Sequence, residues 1–232
     1  MAVFADEVIG SIGGGHLEWQ AIGQARLLLA GGVAARQDEW RYALGPSLGQ
    51  CCGGVVYLRF EEVSASDAQA LAGRLATAGV PVALFGGGHV GKALVKLLSD
   101  LPFEVTWIDS RDEVFPPQVP GNVRCEHSDP VQAAVADLAS GSRVVVMSFS
   151  HAEDLDILIA CLLRQRAQAD LPFIGLIGSQ TKWAVFQHRL EERGFSAQEL
   201  AGVTCPIGIP GIEGKAPAVV ALAVAAQLMQ GC

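Results

Sequence analysis

Two adjacent thiols, Cys51 and Cys52, follow the amide of Gln50 in the stretch GPSLGQCCGG and are backed by Gly53 and Gly54. Neighbouring Cα atoms lie about 3.8 Å apart across a trans peptide, whereas an unstrained disulfide needs roughly 4.4 Å or more. The pair therefore stays as thiols. Two thiols and an amide on a glycine-bracketed backbone offer soft ligands and hydrogen-bond donors, which suits soft or redox-active metals and sulfur chemistry. The plainer reading is a structural turn before a strand. Cys125, Cys161, Cys205 and Cys232 are scattered through apolar surroundings and read as reduced thiols, not as a disulfide framework. No Cys-x-x-Cys zinc spacing occurs.

A second chemistry, the binding of phosphate or another oxyanion, is offered by glycine turns. Gly13, Gly14 and Gly15 precede a helix predicted over residues 16–29. Consecutive glycines expose backbone amides that form anion-binding nests. The run Gly86-Gly87-Gly88-His89-Val90-Gly91 fits G-x-G-x-x-G directly after a predicted strand. In that pattern Gly86 permits the tight turn, Gly88 lets a phosphate approach the backbone, and Gly91 allows close helix packing. Amides at the helix start then face a pyrophosphate. His89 reads either as a helix-start residue over the sheet or as a ligand contact. Asp109 ends the next predicted strand, 18 residues after Gly91, close to the ~20 expected for an acid that holds a ribose hydroxyl. Arg111 could instead meet a 2′-phosphate, so the spacing admits NAD and NADP alike.

Two more strand ends carry polar groups. Ser150 and His151 follow one predicted strand, with Asp154 and Asp156 just beyond; Gly178 and Ser179 follow another, with Lys182 one turn into the next helix. The carboxyl ends of strands border the ligand crevice of an open α/β sheet, so these loops are expected to face one region. Ser150 and Ser179 are also good N-caps. Lys182 at a helix N-terminus opposes the macrodipole, a cost that a bound anion would offset. His151, beside two carboxylates, is placed for proton handling or ligand contact.

These residues need a scaffold, and the pattern around them supplies one. Apolar runs at 82–85, 105–108, 144–149 and 173–177 read as buried parallel strands. Helical patterns fall between and after them, at 88–98, 130–138, 154–166 and from 179 to about 194. The predicted fold is α/β: a C-terminal Rossmann-like, doubly wound parallel sheet over residues 81–232. A smaller N-terminal α+β module over 1–63 precedes it, with strands near 40–44 and 55–60, and a linker helix falls within 64–80.

Bulk properties narrow the partners. Half of the 232 residues are hydrophobic, 17% are charged and the formal net charge is −8. A compact globular chain follows, and nucleic acid and anionic membranes are poor partners. The start lacks a signal-peptide pattern, and the apolar stretch 216–229 is too short to span a bilayer. A cytoplasmic protein is expected.

Taken in order, SIGGGHLEWQAI, GPSLGQCCGG, VALFGGGHVGKAL, WIDSR, SHAEDLDIL, FIGLIGSQTKW and CPIGIPGIEGKAP cover nearly the whole chain. This set resembles the XdhC/CoxI family of xanthine dehydrogenase accessory proteins. The GQCCGG and GGGHLE pieces are specific; the Rossmann fingerprint is not. The resemblance implies a chaperone of purine catabolism that binds the molybdenum cofactor, holds it for sulfuration and passes it to apo-xanthine dehydrogenase. A cysteine desulfurase is the implied second partner and a homodimer the implied state. It implies that Gln50, Cys51 and Cys52 face the cofactor, the two thiols toward molybdenum, with amides from Gly13, Gly14 and Gly15. Ser150, His151, Asp156, Ser179 and Lys182 are implied to line the cleft. Two departures stand out. The family's usual stretch with Gly-Ser-x-Pro-Arg before this region does not occur in these residues, which reads either as a start lying further upstream or as a shortened first module, and an acidic residue usual after Pro217 is replaced by Ala218-Val219-Val220.

Two other functions fit the same residues. An NAD(P)-dependent oxidoreductase would use the glycine fingerprint and His151. It could not use a Tyr-x-x-x-Lys pair, because Tyr42 and Tyr57, the only tyrosines, both precede the fingerprint. A nucleotide-sensing regulator would use the fingerprint to set affinity for a partner.

Overall fold

A short antiparallel pair opens the chain, β1 (Ala2–Val3) with β2 (Val8–Ile9), and leads through the first glycine turn into α1 (Gly15–Leu29). Gly14 adopts φ 77°, ψ −167°, a left-handed region that side chains with a Cβ avoid. A hairpin of β3 (Trp40–Leu44) and β4 (Gly54–Leu58) follows, then α2 (Ala68–Leu75). The computed structural model describes residues 1–31, 39–44, 54–75 and 79–230. It separates into two compact units, Met1–Ala76 and Thr77–Cys232. α2 belongs to the first.

The second unit is built on six strands: β5 (Val80–Phe85), β6 (Phe103–Asp109), β7 (Val123–His127), β8 (Arg143–Val146), β9 (Phe173–Leu176) and β10 (Val203–Thr204). All pair in parallel, in the order β10-β9-β8-β5-β6-β7. Counted from β5 this is the 3-2-1-4-5-6 order of a Rossmann fold. The crossovers carry α3 (His89–Leu98), α4 (His151–Gln168), α5 (Gln180–Glu191) and the short α6 (Ala197–Leu200); α7 (Pro217–Met229) ends the unit. Residues 131–137, expected within an α-helix, form a 3-10 helix (Val131–Asp137).

Both faces of the sheet are covered, which is why its strands read as unbroken apolar runs. Along β5, Val82 and Leu84 enter a cluster with Leu94, Leu98, Ala221 and Val224 of α3 and α7. Ala83 and Phe85 point the other way, into a cluster with Leu155, Leu158, Trp183 and Phe186 of α4 and α5. Pro217 at the first turn suits α7, since its missing N–H would have no helical partner there. Among the described residues no helix is long and apolar enough to cross a membrane.

The turn after β5 is fixed by space. Gly86 has φ 127°, and a Cβ on it would lie 2.0 Å from the Met147 carbonyl oxygen. Gly88, with φ −72°, faces open space. Gly86→Ala is therefore expected to lower stability by about 3 kcal/mol or more, and Gly88→Ala by less than about 0.5 kcal/mol. Urea denaturation midpoints measure both; equal shifts would show that the turn relaxes around a Cβ.

Candidate functional site

The carboxyl ends of β5, β6, β8 and β9 bring together most of the residues singled out in the second unit. At the first of these ends, the Gly86 amide donates to the Ile108 carbonyl (2.8 Å) and the buried Trp107 indole donates to the Gly86 carbonyl (3.0 Å). A Cβ on Gly91 would sit 2.1 Å from that same carbonyl oxygen, and one on Gly87 only 2.4 Å from Val114 Cγ2. Gly86, Gly87 and Gly91 are thus needed for packing. Gly88 and His89 are exposed at the start of α3, where the turn remains open to an approaching anion.

Asp109 is only 2% exposed, and its carboxylate is engaged from within. It accepts hydrogen bonds from the Gly87 amide (2.6 Å), the Arg111 amide (2.9 Å), and Arg111 Nε (2.9 Å) and Nη2 (3.0 Å). Burial pushes this carboxyl up, but the Arg111 guanidinium and the Gly87 and Arg111 amides outweigh it and hold the group below the usual carboxylate range. The ribose-holding role expected for Asp109 thus meets oxygens already committed to the turn and to Arg111. Arg111 in turn stacks on the ring of Phe149, its Cζ 4.2 Å from the ring centroid.

The loop after β8 is tied back to its own helix. Ser150 caps α4, its hydroxyl accepting from the Glu153 amide at 3.2 Å. Glu153 accepts from the Ser110 hydroxyl (2.8 Å) and the Phe149 amide (3.2 Å), joining the β6 and β8 ends. Asp154, 2% exposed, accepts from the Ser148 amide (2.8 Å) and hydroxyl (2.7 Å) through one oxygen. Its other oxygen accepts from Lys182 Nζ at 2.6 Å.

Lys182 also donates to the Ile177 carbonyl (2.9 Å), lies 5.3 Å from the Phe186 ring and folds its stem over Gly178. The counter-charge that Lys182 was expected to find in a bound anion is therefore the Asp154 carboxylate. Ser179 caps α5 by accepting from the Lys182 amide at 3.2 Å.

Two of the expected cleft residues are exposed on α4. Asp156 is exposed, on the face of α4 away from the buried stripe of Asp154, Ile157, Leu158 and Cys161. His151 is exposed, and its ring meets Phe186 edge-on at 6.2 Å while the nearby carboxylates are engaged by Ser148, Lys182, Ser110 and Phe149. Sequence reasoning passed over Phe149, Ser110 and Glu153 and chose Asp156 where Asp154 makes the contacts. Helical spacing from Ile157, Leu158 and Cys161 would have pointed to Asp154.

In the first unit the glycine nest does bind an oxyanion, and the oxyanion is the protein's own. Glu18 Oε2 accepts from the Ser11 hydroxyl (2.5 Å), the Ile12 amide (2.8 Å) and the Gly14 amide (3.0 Å), and these bonds hold its carboxyl below the usual range. The Gly13 amide donates to the Ser11 hydroxyl (3.0 Å). A separate cavity of about 720 Å³ in this unit is lined by Val8, Trp19, Ile22, Leu27, Trp40 and Tyr42 among others. Gln50, Cys51, Cys52 and Gly53 lie outside the described residues, as does Cys232. Among the described residues no group of three His, Cys, Asp or Glu side chains is placed to hold a metal. Cys161 is fully buried and its thiol is pushed up to about 12, while burial also raises Cys125 and Cys205.

Residues 82–228 match the XdhC Rossmann domain, and residues 1–38 match the XdhC and CoxI family. The chain belongs to the XdhC family. It is 25% identical to the uncharacterized protein YqeB of Escherichia coli K12 over 99% of its own length and 40% of that protein. A Bacillus halodurans structure described as a xanthine dehydrogenase shares the fold at a TM-score of 0.53 and 18% identity, over 91% of this chain and 63% of that one. A Rossmann-fold NAD(P)-binding family protein from Shigella flexneri aligns at a TM-score of 0.44 and 14% identity, over 64% of this chain and 86% of that one. This XdhC chain thus spans less than two thirds of the length of the first relatives it matches.

Two measurements test the local chemistry. Asp154→Ala leaves the Lys182 ammonium, whose side chain is 12% exposed, with the Ile177 carbonyl and the Phe186 ring. It is expected to lose about 3 kcal/mol of stability, much of it recovered when Lys182→Met is added. Additive losses would show that the two charges are not coupled. For Asp109 the folded pKa lies below the unfolded value of about 3.9. Its contribution is therefore complete above about pH 4 and is lost as pH falls through the folded pKa. Stability of Asp109→Asn should decline less steeply than wild type over that acid range, as read by denaturation at successive pH values.

Proposed function

We propose that this chain is a xanthine dehydrogenase accessory protein that binds the molybdenum cofactor, holds it for sulfuration and delivers it to apo-xanthine dehydrogenase. The observation that carries this reading is membership of the XdhC family through both modules, over residues 1–38 and 82–228. The cargo is a pterin with a dithiolene and a phosphate. Cys51, Cys52 and Gln50 offer soft and hydrogen-bonding groups for the molybdenum–dithiolene end. A cysteine desulfurase is the sulfur donor in this scheme, the protein works as a homodimer, and the setting is the cytoplasm.

The crevice is arranged for holding more than for turnover. Lys182 is neutralised by Asp154, so its ammonium is occupied within the protein. A second reading, a bound nucleotide that sets affinity for a partner, is favoured by the 3-2-1-4-5-6 strand order and the open Gly88. The residues present fit the diphosphate of NAD(P). They fit its ribose less well, because both Asp109 oxygens are engaged.

Mass analysis of small molecules released from gently purified protein identifies the cargo directly, and molybdopterin is expected at up to one per chain. The Cys51→Ala/Cys52→Ala double variant is expected to bind it about tenfold or more weakly with an unchanged melting temperature. Full binding by the double variant removes the thiols from the scheme; no molybdopterin binding by the wild type overturns it.

A further inference from the structure

Arg111 is held more firmly than a counter-ion for Asp109 requires. Its Nε and Nη2 edge is fixed by the carboxylate, its backbone amide binds the same group, and one face of the guanidinium lies on Phe149. Phe149 is itself 66% exposed, yet its amide is pinned by Glu153, which also holds Ser110 next to Arg111. Three residues thus fix the position of one cationic plane. Even with that edge and that face engaged, 30% of the Arg111 side chain remains exposed. No hydrogen bond from Nη1 is found among the described residues, while the carboxylates of Glu153 and Glu113 favour the guanidinium's charge.

A planar, weakly hydrated guanidinium with a free face is a stacking surface for aromatic heterocycles. This one sits where β6 ends, beside the glycine turn whose Gly87 amide shares the Asp109 carboxylate. We propose that Arg111, backed by Phe149, is the stacking platform for a fused heteroaromatic ring whose phosphate lies toward the open side of Gly88. The ring is either the pterin of the molybdenum cofactor or the purine of a nucleotide. The pterin case rests on the carrier reading above; the purine case does not.

Stacking contributes enough per ring for its loss to be read as a fold-change in affinity. The test uses the whole chain as wild type, Phe149→Ala (support lost from an exposed site, with an unchanged melting temperature expected) and Arg111→Lys (charge kept, plane lost, with a lowered melting temperature expected because the Asp109 fork opens), and binding is measured well below every melting temperature. Binding is measured by equilibrium dialysis with NADH, NADPH, dihydroneopterin phosphate and freshly released molybdopterin. Ribose 5-phosphate serves as a phosphate without a fused ring.

At least one ring-bearing probe is expected to bind, with Arg111→Lys about tenfold or more weaker and Phe149→Ala about three- to tenfold weaker. Ribose 5-phosphate should bind weakly and equally to all three proteins. Loss confined to the two pterins names the cofactor as occupant; loss confined to the dinucleotides names a purine nucleotide. Equal binding of every probe by all three proteins overturns the platform, as does the lack of any ring-bearing ligand at millimolar concentration. Molybdopterin held at wild-type strength by both variants overturns the platform and leaves the carrier reading standing. Dinucleotide binding that depends on Arg111, with no molybdopterin bound by the wild type, keeps the platform and overturns the carrier reading.

Discussion

Asp109 ties the glycine turn, the end of β6 and Arg111 to one another. One oxygen closes the glycine turn by accepting from Gly87, and both oxygens take the fork of Arg111. A carboxylate removed from water is tolerable only when its lone pairs are satisfied and its charge is balanced. Both conditions are met here by groups on the β5 and β6 ends. The turn, the end of β6 and the orientation of Arg111 are consequently one unit. A change in any of them leaves a buried charge with too few partners, so the unit is built to be present or absent as a whole.

The same logic recurs on the far side of β8. Asp154 and Glu153 occupy the first turn of α4, where the macrodipole favours negative charge. Both reach the loop after β8, at Ser148 and Phe149, and each adds a second strand end: Asp154 through Lys182, Glu153 through Ser110. A short helical segment thereby sets the positions of the β6, β8 and β9 ends. This explains how Lys182 sits at the start of α5 despite the unfavourable dipole: its counter-charge comes from the neighbouring helix.

The sheet was legible in the sequence because strands buried on both faces announce themselves as apolar runs; β5 and β9 are examples. β7 was not, because an edge strand with Arg124, Glu126 and His127 among its five residues lacks that signal. The run at 144–149 reads as one strand, yet β8 ends at Val146, since Asp154 draws Ser148 out of the ladder and leaves Phe149 exposed. Local spacing located the glycine turn, the two serine caps and Lys182. It could not show that Arg111 meets Phe149, 38 residues away, or that Asp109 and Lys182 find their partners inside the protein. Those contacts depend on which loops the sheet order makes neighbours.

The carboxylate of Glu18 already sits in the first glycine turn, bound by two amides and the Ser11 hydroxyl. An anion arriving from solution meets a resident competitor tethered a few residues away, at an effective concentration in the millimolar range typical of short tethers. The turn's apparent affinity for free phosphate is lowered by the fraction of time that Glu18 occupies it. A ligand can take its place only if it brings further contacts of its own or if α1's first turn lets the carboxylate go. Dilute inorganic phosphate is screened out by that arrangement, and a larger molecule anchored elsewhere is not.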